Sequence, residues 1–302
     1  MTPTIGVFDS GFGGLTVLRA LIARAPHARF AFLGDSARLP YGSKSRRTIA
    51  RYAAESARFL VEEQGAEYLV IACNTASALA LDAIQAAVPS SIPVIGVIEP
   101  GAEAAQRASK TGDVLVIATD ATVQSHAYAA ACQARGLRAL EKACPLLVPL
   151  VEEGWTSPDP FSLDLEAYAA QAAPAPPQVA VTAEVFRIYF AELTAQAASL
   201  GLNPDTLVLG CTHDPLLMPL IQQAIPPNMR AIDSAESAAE AVCKLIEAGA
   251  APGTGDSAGA KRVPPNAQLR CFATDSVEKF ERLGSRFLGR PVGQVQLVDL
   301  GG

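Results

Sequence analysis

The sequence lacks the features that mark membrane proteins and secreted proteins. None of its apolar runs approaches the roughly 18 residues of a membrane-spanning helix. Its N-terminal segment has no basic region followed by an apolar one, so we expect no secretory signal. The six cysteines are scattered through 302 residues, which is typical of reduced thiols and unlike a disulfide framework. We therefore expect a cytoplasmic protein with no membrane partner.

The sequence also has few charged residues and few histidines. Charged residues make up 18% of the chain and the net charge is −6, a balance that argues against a nucleic-acid surface. Only three histidines are present, without a Cys-x-x-Cys pair, so we expect no metal site. The glycine-rich segment 11–14 lacks the last glycine of a dinucleotide fingerprint, because Thr16 stands at that position. No pyridoxal-binding lysine motif is evident, and we expect no cofactor.

Half of the chain is hydrophobic, which at this length is enough for roughly two domains with substantial cores. Short apolar runs alternate with segments of helical periodicity, and this alternation predicts an α/β fold with mainly parallel sheets flanked by helices. The predicted strands are residues 4–8, 29–33, 68–72, 94–98, 113–118, 207–210 and 230–232. The predicted helices are residues 15–24, 46–64, 74–87, 123–135, 216–224 and 235–247.

Two stretches interrupt this alternation. Residues 157–178 are rich in Pro and Ala, and residues 249–268 are rich in Gly, Ala and Pro. Both compositions favour surface insertions or loops over core elements.

Two cysteines stand in matching contexts. Cys73 follows the apolar run 69–72, and Cys211 follows the run 207–210. Each is then followed by small polar residues and a helical pattern. We interpret them as the same strand-end position in two pseudo-symmetric halves of the protein. Two thiols that face each other across a cleft suggest proton transfer by two bases.

The position of these thiols predicts their protonation state. A thiol directly before a helix faces the positive end of the helix dipole, which lowers the thiol pKa and makes a thiolate accessible. The alternative is a small buried hydrophobic side chain, the usual state of an intracellular cysteine. We keep that alternative for Cys132, Cys144, Cys243 and Cys271.

Acidic residues also fall at predicted strand ends, where ligands bind in parallel sheets. They are Asp9, Asp35 and Glu99. Asp9 and Ser10 precede a glycine-rich turn that can expose backbone N–H groups to an anion. Both residues are also favoured helix N-caps, and capping and binding can coexist.

Three further motifs each allow more than one interpretation. His213 either adjusts the protonation of Cys211 or is an ordinary hydrogen-bonded histidine near a helix start, and a metal site built from the two is a weak third option. Tyr41 and Gly42 either present a hydroxyl and an N–H group to a ligand or form an ordinary turn. Glu152 is either an acidic group near the cleft or a solvated loop charge, and composition favours the loop charge.

Five motifs, in this order along the chain, resemble those of the glutamate racemases, cofactor-independent enzymes of the aspartate/glutamate racemase superfamily. They span most of the chain, at residues 5–11, 34–42, 72–77, 144–152 and 210–213. Weaker similarity continues at residues 231–234 and 272–275. A single motif of this length would mean little, whereas five in order are highly specific.

The resemblance implies two α/β domains with the active site in the cleft between them, and inversion at the α-carbon of glutamate. We place the first domain at residues 1–98 plus 234–302 and the second at residues 99–233. The resemblance implies that Cys73 and Cys211 are the alternating bases, supported by Asp9, His213 and Glu152. It implies substrate contacts from Asp9, Ser10, Tyr41, Gly42, Asn74, Thr75, Thr212 and His213. The implied role is supply of D-glutamate for peptidoglycan, and we expect a homodimer.

The chain departs from the family pattern at three places. Asp214 stands where the family usually has an aromatic residue, although an Asp in a first helical turn is electrostatically favourable. The stretch between Glu152 and Cys211 is longer than usual, and so is the stretch after Glu247. These departures concern the packing beside Cys211 and the surface of the second domain.

Other functions remain open from the residues alone. An aspartate racemase differs by one methylene of substrate length, which the catalytic motifs do not separate. A decarboxylase of this superfamily needs one cysteine, so the presence of both Cys73 and Cys211 counts against it. The same pair argues against a non-catalytic interaction protein on this fold.

Overall fold

The computed structural model describes residues 2–156, 176–248 and 269–301. Their strands form two sheets flanked by helices, and every strand pair is parallel. The predicted α/β class with parallel sheets is therefore confirmed.

The larger sheet has six strands in the order β10-β9-β2-β1-β3-β4. They are β1 (Thr4–Asp9), β2 (Arg29–Gly34), β3 (Tyr68–Ile71), β4 (Val94–Gly96), β9 (Leu269–Ala273) and β10 (Val295–Leu297). The smaller sheet has four strands in the order β6-β5-β7-β8. They are β5 (Asp113–Ala118), β6 (Arg138–Ala143), β7 (Thr206–Gly210) and β8 (Arg230–Asp233).

The two sheets repeat one topology. The order β2-β1-β3-β4 of the first sheet corresponds to β6-β5-β7-β8 of the second. Cys73 follows β3 and Cys211 follows β7, so the two cysteines occupy equivalent strand ends. The predicted pseudo-symmetry of the two halves is thus confirmed.

Helices cover both faces of the sheets. They are α1 (Leu15–Arg24), α2 (Arg46–Arg58), α3 (Asn74–Leu79), α4 (Leu81–Ala87), α5 (Ile98–Ala108), α6 (Asp120–Ser125), α7 (Ala127–Gln133), α8 (Leu147–Glu152), α9 (Pro177–Ser199), α10 (Met218–Ala224), α11 (Ser234–Glu247) and α12 (Val277–Leu288). Alternate residues of β1 enter different cores, with Ile5 and Val7 on one face and Phe8 on the other. Full burial of each such side chain contributes roughly 1.5–3 kcal/mol, so the sheets form a rigid support for the loops at their ends.

Two helices join the sheets. α5 follows β4 of the first sheet but packs against β7 and β8 of the second. α11 follows β8 of the second sheet but packs against α1, beside the first sheet, and against α5. The chain therefore crosses between the two halves after β4 and again after β8.

Several predicted elements have different bounds in the structure. The predicted helix 74–87 is broken at Ala80, and the predicted helix 123–135 is broken at His126, whose φ of 54° is left-handed. The burial pattern continues through each break, so periodicity did not reveal it. The predicted strand 94–98 ends at Gly96, because Ile98 already begins α5. Glu99 consequently lies in the first turn of α5 and pairs with Arg135 at 2.7 Å, so its predicted place at a strand end is wrong.

Other elements were not predicted from the sequence. β6 is an edge strand whose alternating charges hide its strand character, and α9 carries both buried and exposed apolar residues, which weakens its periodicity. α9 begins at Pro177, so the last two residues of the predicted loop 157–178 are helical. Residues 157–175 and the predicted loop 249–268 lie outside the described residues. Within the described ranges, no helix combines the length and apolarity needed to cross a membrane.

Candidate functional site

A cavity of about 470 Å³ lies where the carboxyl ends of the two sheets meet. Small-molecule sites commonly measure about 300–1,000 Å³. The segments that follow β1, β3, β5 and β7 form its wall, together with residues 39–43 and side chains between positions 145 and 152. The predicted position of the site, between the two halves, agrees with this cavity.

All residues predicted for catalysis or substrate binding line the cavity. They are Asp9, Ser10, Tyr41, Gly42, Cys73, Asn74, Thr75, Glu152, Cys211, Thr212 and His213. Asp35 and Glu99, which were also predicted at strand ends, do not line it. The fold thus brings distant motifs together, while the role of each residue stays a prediction.

Cys73 is buried and forms the N-cap of α3. Its Sγ accepts a hydrogen bond from the amide of Ala76 at 3.4 Å and lies 3.3 Å from Oγ of Ser10. Burial and the charge of Asp9 outweigh these contacts and raise the pKa of Cys73 to about 11. The expectation of a lowered pKa is therefore wrong, because the depth of the thiol is a larger effect than the helix terminus.

Cys211 is buried to a similar extent and precedes a 3₁₀-helix at Asp214–Leu217. Burial raises the pKa of Cys211 well above its usual value, and the charge of an ionised Asp214 would raise it further. The charge of Cys73 adds to this increase, so the two thiols lie within electrostatic reach of each other. At neutral pH both side chains are thiols, and the predicted thiolate needs an additional positive charge in the cavity.

His213 stands between Cys211 and Glu152. Its Nδ1 lies 3.8 Å from Sγ of Cys211, and its Nε2 lies 3.2 Å from Oε1 of Glu152, the last residue of α8. The ring packs edge-on against Phe287 of α12 at 4.9 Å between centroids. Burial acts to raise the pKa of Glu152, but the hydrogen bond and charge of His213 outweigh it and lower the pKa. The interpretation of Glu152 as a solvated loop charge is therefore wrong.

Asp9 ends β1 and is 2% exposed. Its Oδ2 accepts a hydrogen bond from the amide of Gly11 at 2.8 Å, and burial raises its pKa. Gly14 is the N-cap of α1 and no side chain caps this helix. The N-cap interpretation of Asp9 and Ser10 is therefore wrong, and both residues face the cavity.

Asn74 is held by Tyr128 from behind the cavity. The Tyr128 hydroxyl donates to Oδ1 of Asn74 at 2.8 Å, which fixes the orientation of the amide. Nδ2 of Asn74 is buried and has no hydrogen-bond partner. A buried N–H donor without a partner is costly, so this group is available to an acceptor in the cavity.

Tyr41 is almost fully buried in the cavity wall. Its hydroxyl donates to Oδ2 of Asp35 at 2.5 Å, and Asp35 also accepts hydrogen bonds from Arg38 at 2.8 Å and from Thr274 at 2.9 Å. The donor of the phenol is therefore used inside the protein. The predicted donation of this hydroxyl to a ligand does not fit the geometry, whereas the place of Tyr41 in the wall does.

Thr119 and Asp120 line the cavity and were missed from the sequence. Oγ1 of Thr119 lies 3.1 Å from Oγ1 of Thr75, so the two halves meet through a pair of hydroxyls. A signal for Thr119 existed, because it follows β5 as Ser10 follows β1. Thr119 would have been predicted if each strand end of the first half had been compared with the equivalent strand end of the second half.

The charged side chains of the cavity wall are mainly acidic. Among the described residues that line it there is no lysine or arginine, whereas Asp9, Asp120 and Glu152 bring carboxyl groups. Such a cavity favours a cationic group and must hold a carboxylate through neutral N–H and O–H donors. In residues 2–156, 176–248 and 269–301, no three His, Cys, Asp or Glu side chains are grouped to hold a metal ion.

The sequence profile of the Asp/Glu/Hydantoin racemase family matches residues 15–242. The chain belongs to this family. A protein from Koribacter versatilis (strain Ellin345), named glutamate racemase, is 49% identical, and the match covers 99% of this chain and 98% of that protein. Family membership, which the five motifs predicted, is thus confirmed.

Solved racemase structures share the fold of this chain. Glutamate racemase from Francisella tularensis subsp. tularensis SCHU S4, in complex with D-glutamate, is similar with a TM-score of 0.79 at 31% identity, covering 99% of this chain and 98% of that one. Aspartate racemase from Picrophilus torridus has a TM-score of 0.50 at 16% identity, covering 82% of this chain and 94% of that one. The similarity to the Picrophilus torridus structure shows a shared fold only.

Proposed function

We propose that this protein is a cofactor-independent glutamate racemase, which interconverts L- and D-glutamate by proton transfer through Cys73 and Cys211. The observation that carries the proposal is that two thiols from equivalent strand ends of two sheets line one cavity. Inversion of a carbon centre needs a base on one side and an acid on the other. Two thiols from opposite sheets supply both, and their roles exchange when the direction of reaction is reversed.

The substrate itself supports formation of the thiolate. An amino acid brings an ammonium group, and a positive charge within a few ångströms lowers the pKa of a thiol. The carboxyl groups of Asp9 and Glu152 favour binding of that ammonium group in the cavity. The Ser10 hydroxyl and the Ala76 amide then stabilise a thiolate at Cys73.

The substrate carboxylate needs donors as the α-proton leaves, because negative charge accumulates on its oxygens. Nδ2 of Asn74 is an unpartnered donor in the wall. The hydroxyls of Thr75, Thr119 and Thr212 line the same cavity. Each donor that is well placed for the developing charge contributes up to roughly 3 kcal/mol to the stability of the transition state.

His213 supports the reaction on the second side. One of its ring nitrogens faces Cys211 and the other contacts Glu152. The carboxylate fixes the orientation of the ring, so the imidazole nitrogen that faces Cys211 is placed to exchange a proton with the thiol. This arrangement agrees with the predicted supporting roles of His213 and Glu152.

The choice of glutamate over aspartate rests on the names of the similar proteins. A missing methylene usually changes discrimination by about 10–200-fold, and a misplaced carboxylate leaves buried polar groups unpaired. We expect kcat/KM for L- and D-glutamate to exceed that for aspartate at least about tenfold. Equal or faster turnover of aspartate, measured by chiral chromatography, would assign the protein to the alternative aspartate racemase function.

We further propose that no cofactor takes part, so activity should survive dialysis against a chelator and removal of pyridoxal phosphate. Activity that only an added metal ion or pyridoxal phosphate restores would contradict this proposal.

We also infer that the protein supplies D-glutamate for peptidoglycan, that it is located in the cytoplasm and that it forms a homodimer. The domain bounds 1–98 plus 234–302 and 99–233 are supported by the packing of α5 on the second sheet and of α11 beside the first.

A further inference from the structure

Asp214 is a buried carboxyl group that has no direct contact with the cavity. It is the first residue of the 3₁₀-helix after Cys211, and it is 2% exposed. Its amide donates to the carbonyl oxygen of Cys211 at 3.1 Å, which ties it to the cysteine. It does not line the cavity, so it acts on substrate only through other residues.

The carboxyl group of Asp214 has a hydrogen bond from the Cys211 backbone, which favours the ionised form, but burial outweighs it. Its Oδ2 is buried and has no hydrogen-bond partner. Within the described ranges of the chain, no lysine, arginine or histidine forms an ion pair with it. A buried carboxylate without a cation is strongly disfavoured relative to the neutral acid. The geometry therefore favours a proton on this side chain.

The titratable groups that face Asp214 include no cation that would favour its ionisation. They are Cys211, Cys144, Tyr128 and Asp233. Asp233 caps α11 through the amide of Ala235 at 2.7 Å, and none of these groups is a cation. Burial raises the pKa of Asp214 well above its usual value.

The charge state of Asp214 affects Cys211 directly. After burial, the charge of Asp214 is the largest influence that raises the pKa of Cys211, ahead of the charges of Cys73 and Asp9. An ionised Asp214 therefore opposes a thiolate at Cys211, whereas a neutral Asp214 does not.

We propose that Asp214 is a positioning residue that stays a neutral acid at physiological pH, so that Cys211 can become a thiolate, and that its ionisation at alkaline pH suppresses the reaction. The kinetic part rests on the proposed racemase function. The neutral state does not, and the two parts can be tested separately.

Thermal unfolding tests the neutral state. The folded protein binds this proton more tightly than the unfolded chain does, so its contribution is complete below the ordinary aspartate pKa and is lost as pH rises towards the raised pKa. From about pH 4 to about pH 8, the Tm of the wild type should fall relative to that of Asp214→Asn by about 2 °C or more. The exposed control Asp82→Asn should follow the wild type. A difference between wild type and Asp214→Asn that does not change with pH would overturn the neutral state.

The pH profile of kcat/KM for glutamate tests the positioning role. Activity of Asp214→Asn should persist to a pH at least about one unit higher than that of the wild type. The exposed control Asp82→Asn should keep the wild-type alkaline limit. Identical alkaline limits for wild type and Asp214→Asn would overturn the positioning role. A wild type without activity on glutamate would instead reject the proposed function, and unfolding would still decide the protonation of Asp214.

A second variant, Asp214→Ser, is available if Asp214→Asn does not fold. Asp214→Ser is smaller and also uncharged, so the same two shifts are expected from it. If neither variant folds, infrared spectra of the wild type decide. They should show a protonated carboxyl group at pH 7 that ionises in the pH range where kcat/KM declines. The absence of such a group would overturn the proposal.

Discussion

Nε2 of His213 lies 3.2 Å from Oε1 of Glu152, and this contact joins the segment after β7 to the last turn of α8. The opposite nitrogen of the same ring lies 3.8 Å from Sγ of Cys211. A change at Glu152 therefore reaches Cys211 through one imidazole ring.

Glu152→Gln tests this relationship. The variant loses a charge-assisted hydrogen bond of about 1.5–3 kcal/mol, so we expect kcat/KM for glutamate to fall roughly 10–150-fold. The neighbouring exposed change Glu153→Gln is the control and should leave kcat/KM near the wild-type value. Equal rates for Glu152→Gln and the control would show that His213 needs no carboxylate partner.

The stability of Glu152→Gln should also depend on pH. The folded protein lowers the pKa of Glu152, so the ionised group stabilises the fold above the ordinary glutamate pKa, and this contribution is lost as pH falls through the lowered value. We expect the wild type to unfold at a higher Tm than the variant at neutral pH, with the gap closing in acid. A gap that widens in acid would contradict the direction of the pKa shift.

Replacement of either cavity cysteine tests the two-base assignment. Cys73→Ala and Cys211→Ala should each lower racemisation by at least about 10²-fold, because each variant lacks the acid or the base on one side. In deuterated water, each variant should still exchange the α-proton of one enantiomer, and the two variants should select opposite enantiomers. Cys243→Ala, a change outside the cavity, should racemise normally. Near-normal racemisation by either cavity variant would exclude the assignment.

Gly13→Ala tests the fit between the two halves. A Cβ atom at Gly13 would lie 2.2 Å from Oγ1 of Thr212 and 2.6 Å from Nδ1 of His213. Both side chains must shift, and a displacement of about 1 Å in a catalytic group can cost about 10²-fold in rate. We therefore expect a large loss of kcat/KM with a smaller loss of Tm. Full activity would mean that neither side chain needs its present position.

Alkylation measures the protonation of Cys73. Because burial raises its pKa to about 11, the group is mainly a thiol at neutral pH and reacts slowly with iodoacetamide. Inactivation should accelerate as pH rises towards that value, and bound glutamate should slow it. A Cys243→Ala background removes the half-buried thiol outside the cavity. Rapid inactivation at neutral pH, with no further increase at higher pH, would contradict the raised pKa.

The strand ends were the part of the fold that the sequence predicted best. Apolar runs such as those before Cys73 and Cys211 are strong signals for buried parallel strands, and polar residues after them mark the edge where ligands bind. Elements with weak sequence patterns, such as the charged edge strand β6, were not predicted. The break at His126 was also missed, because a left-handed residue leaves the hydrophobic period intact.

The protonation of the site could not be predicted from local sequence. The position of Cys73 before α3 suggested a lowered thiol pKa, and the helix does donate the expected hydrogen bond. The larger effect is burial, because Cys73 lies in a core formed by residues far apart along the chain, from Phe8 to Phe272. The buried state of Asp214 depends on the same long-range packing, and so does the inclusion of Glu152 in the cavity wall.

The pair formed by His213 and Glu152 stands beside only one of the two thiols, and this asymmetry has a kinetic consequence. L- and D-glutamate have equal free energies in water, so a racemase cannot shift their equilibrium towards either. The catalytic efficiencies of the two directions must then be equal, however different the two sides of the cavity are. The asymmetry can therefore appear only as unequal turnover numbers balanced by unequal Michaelis constants. A net flow towards D-glutamate would have to come from reactions that consume it.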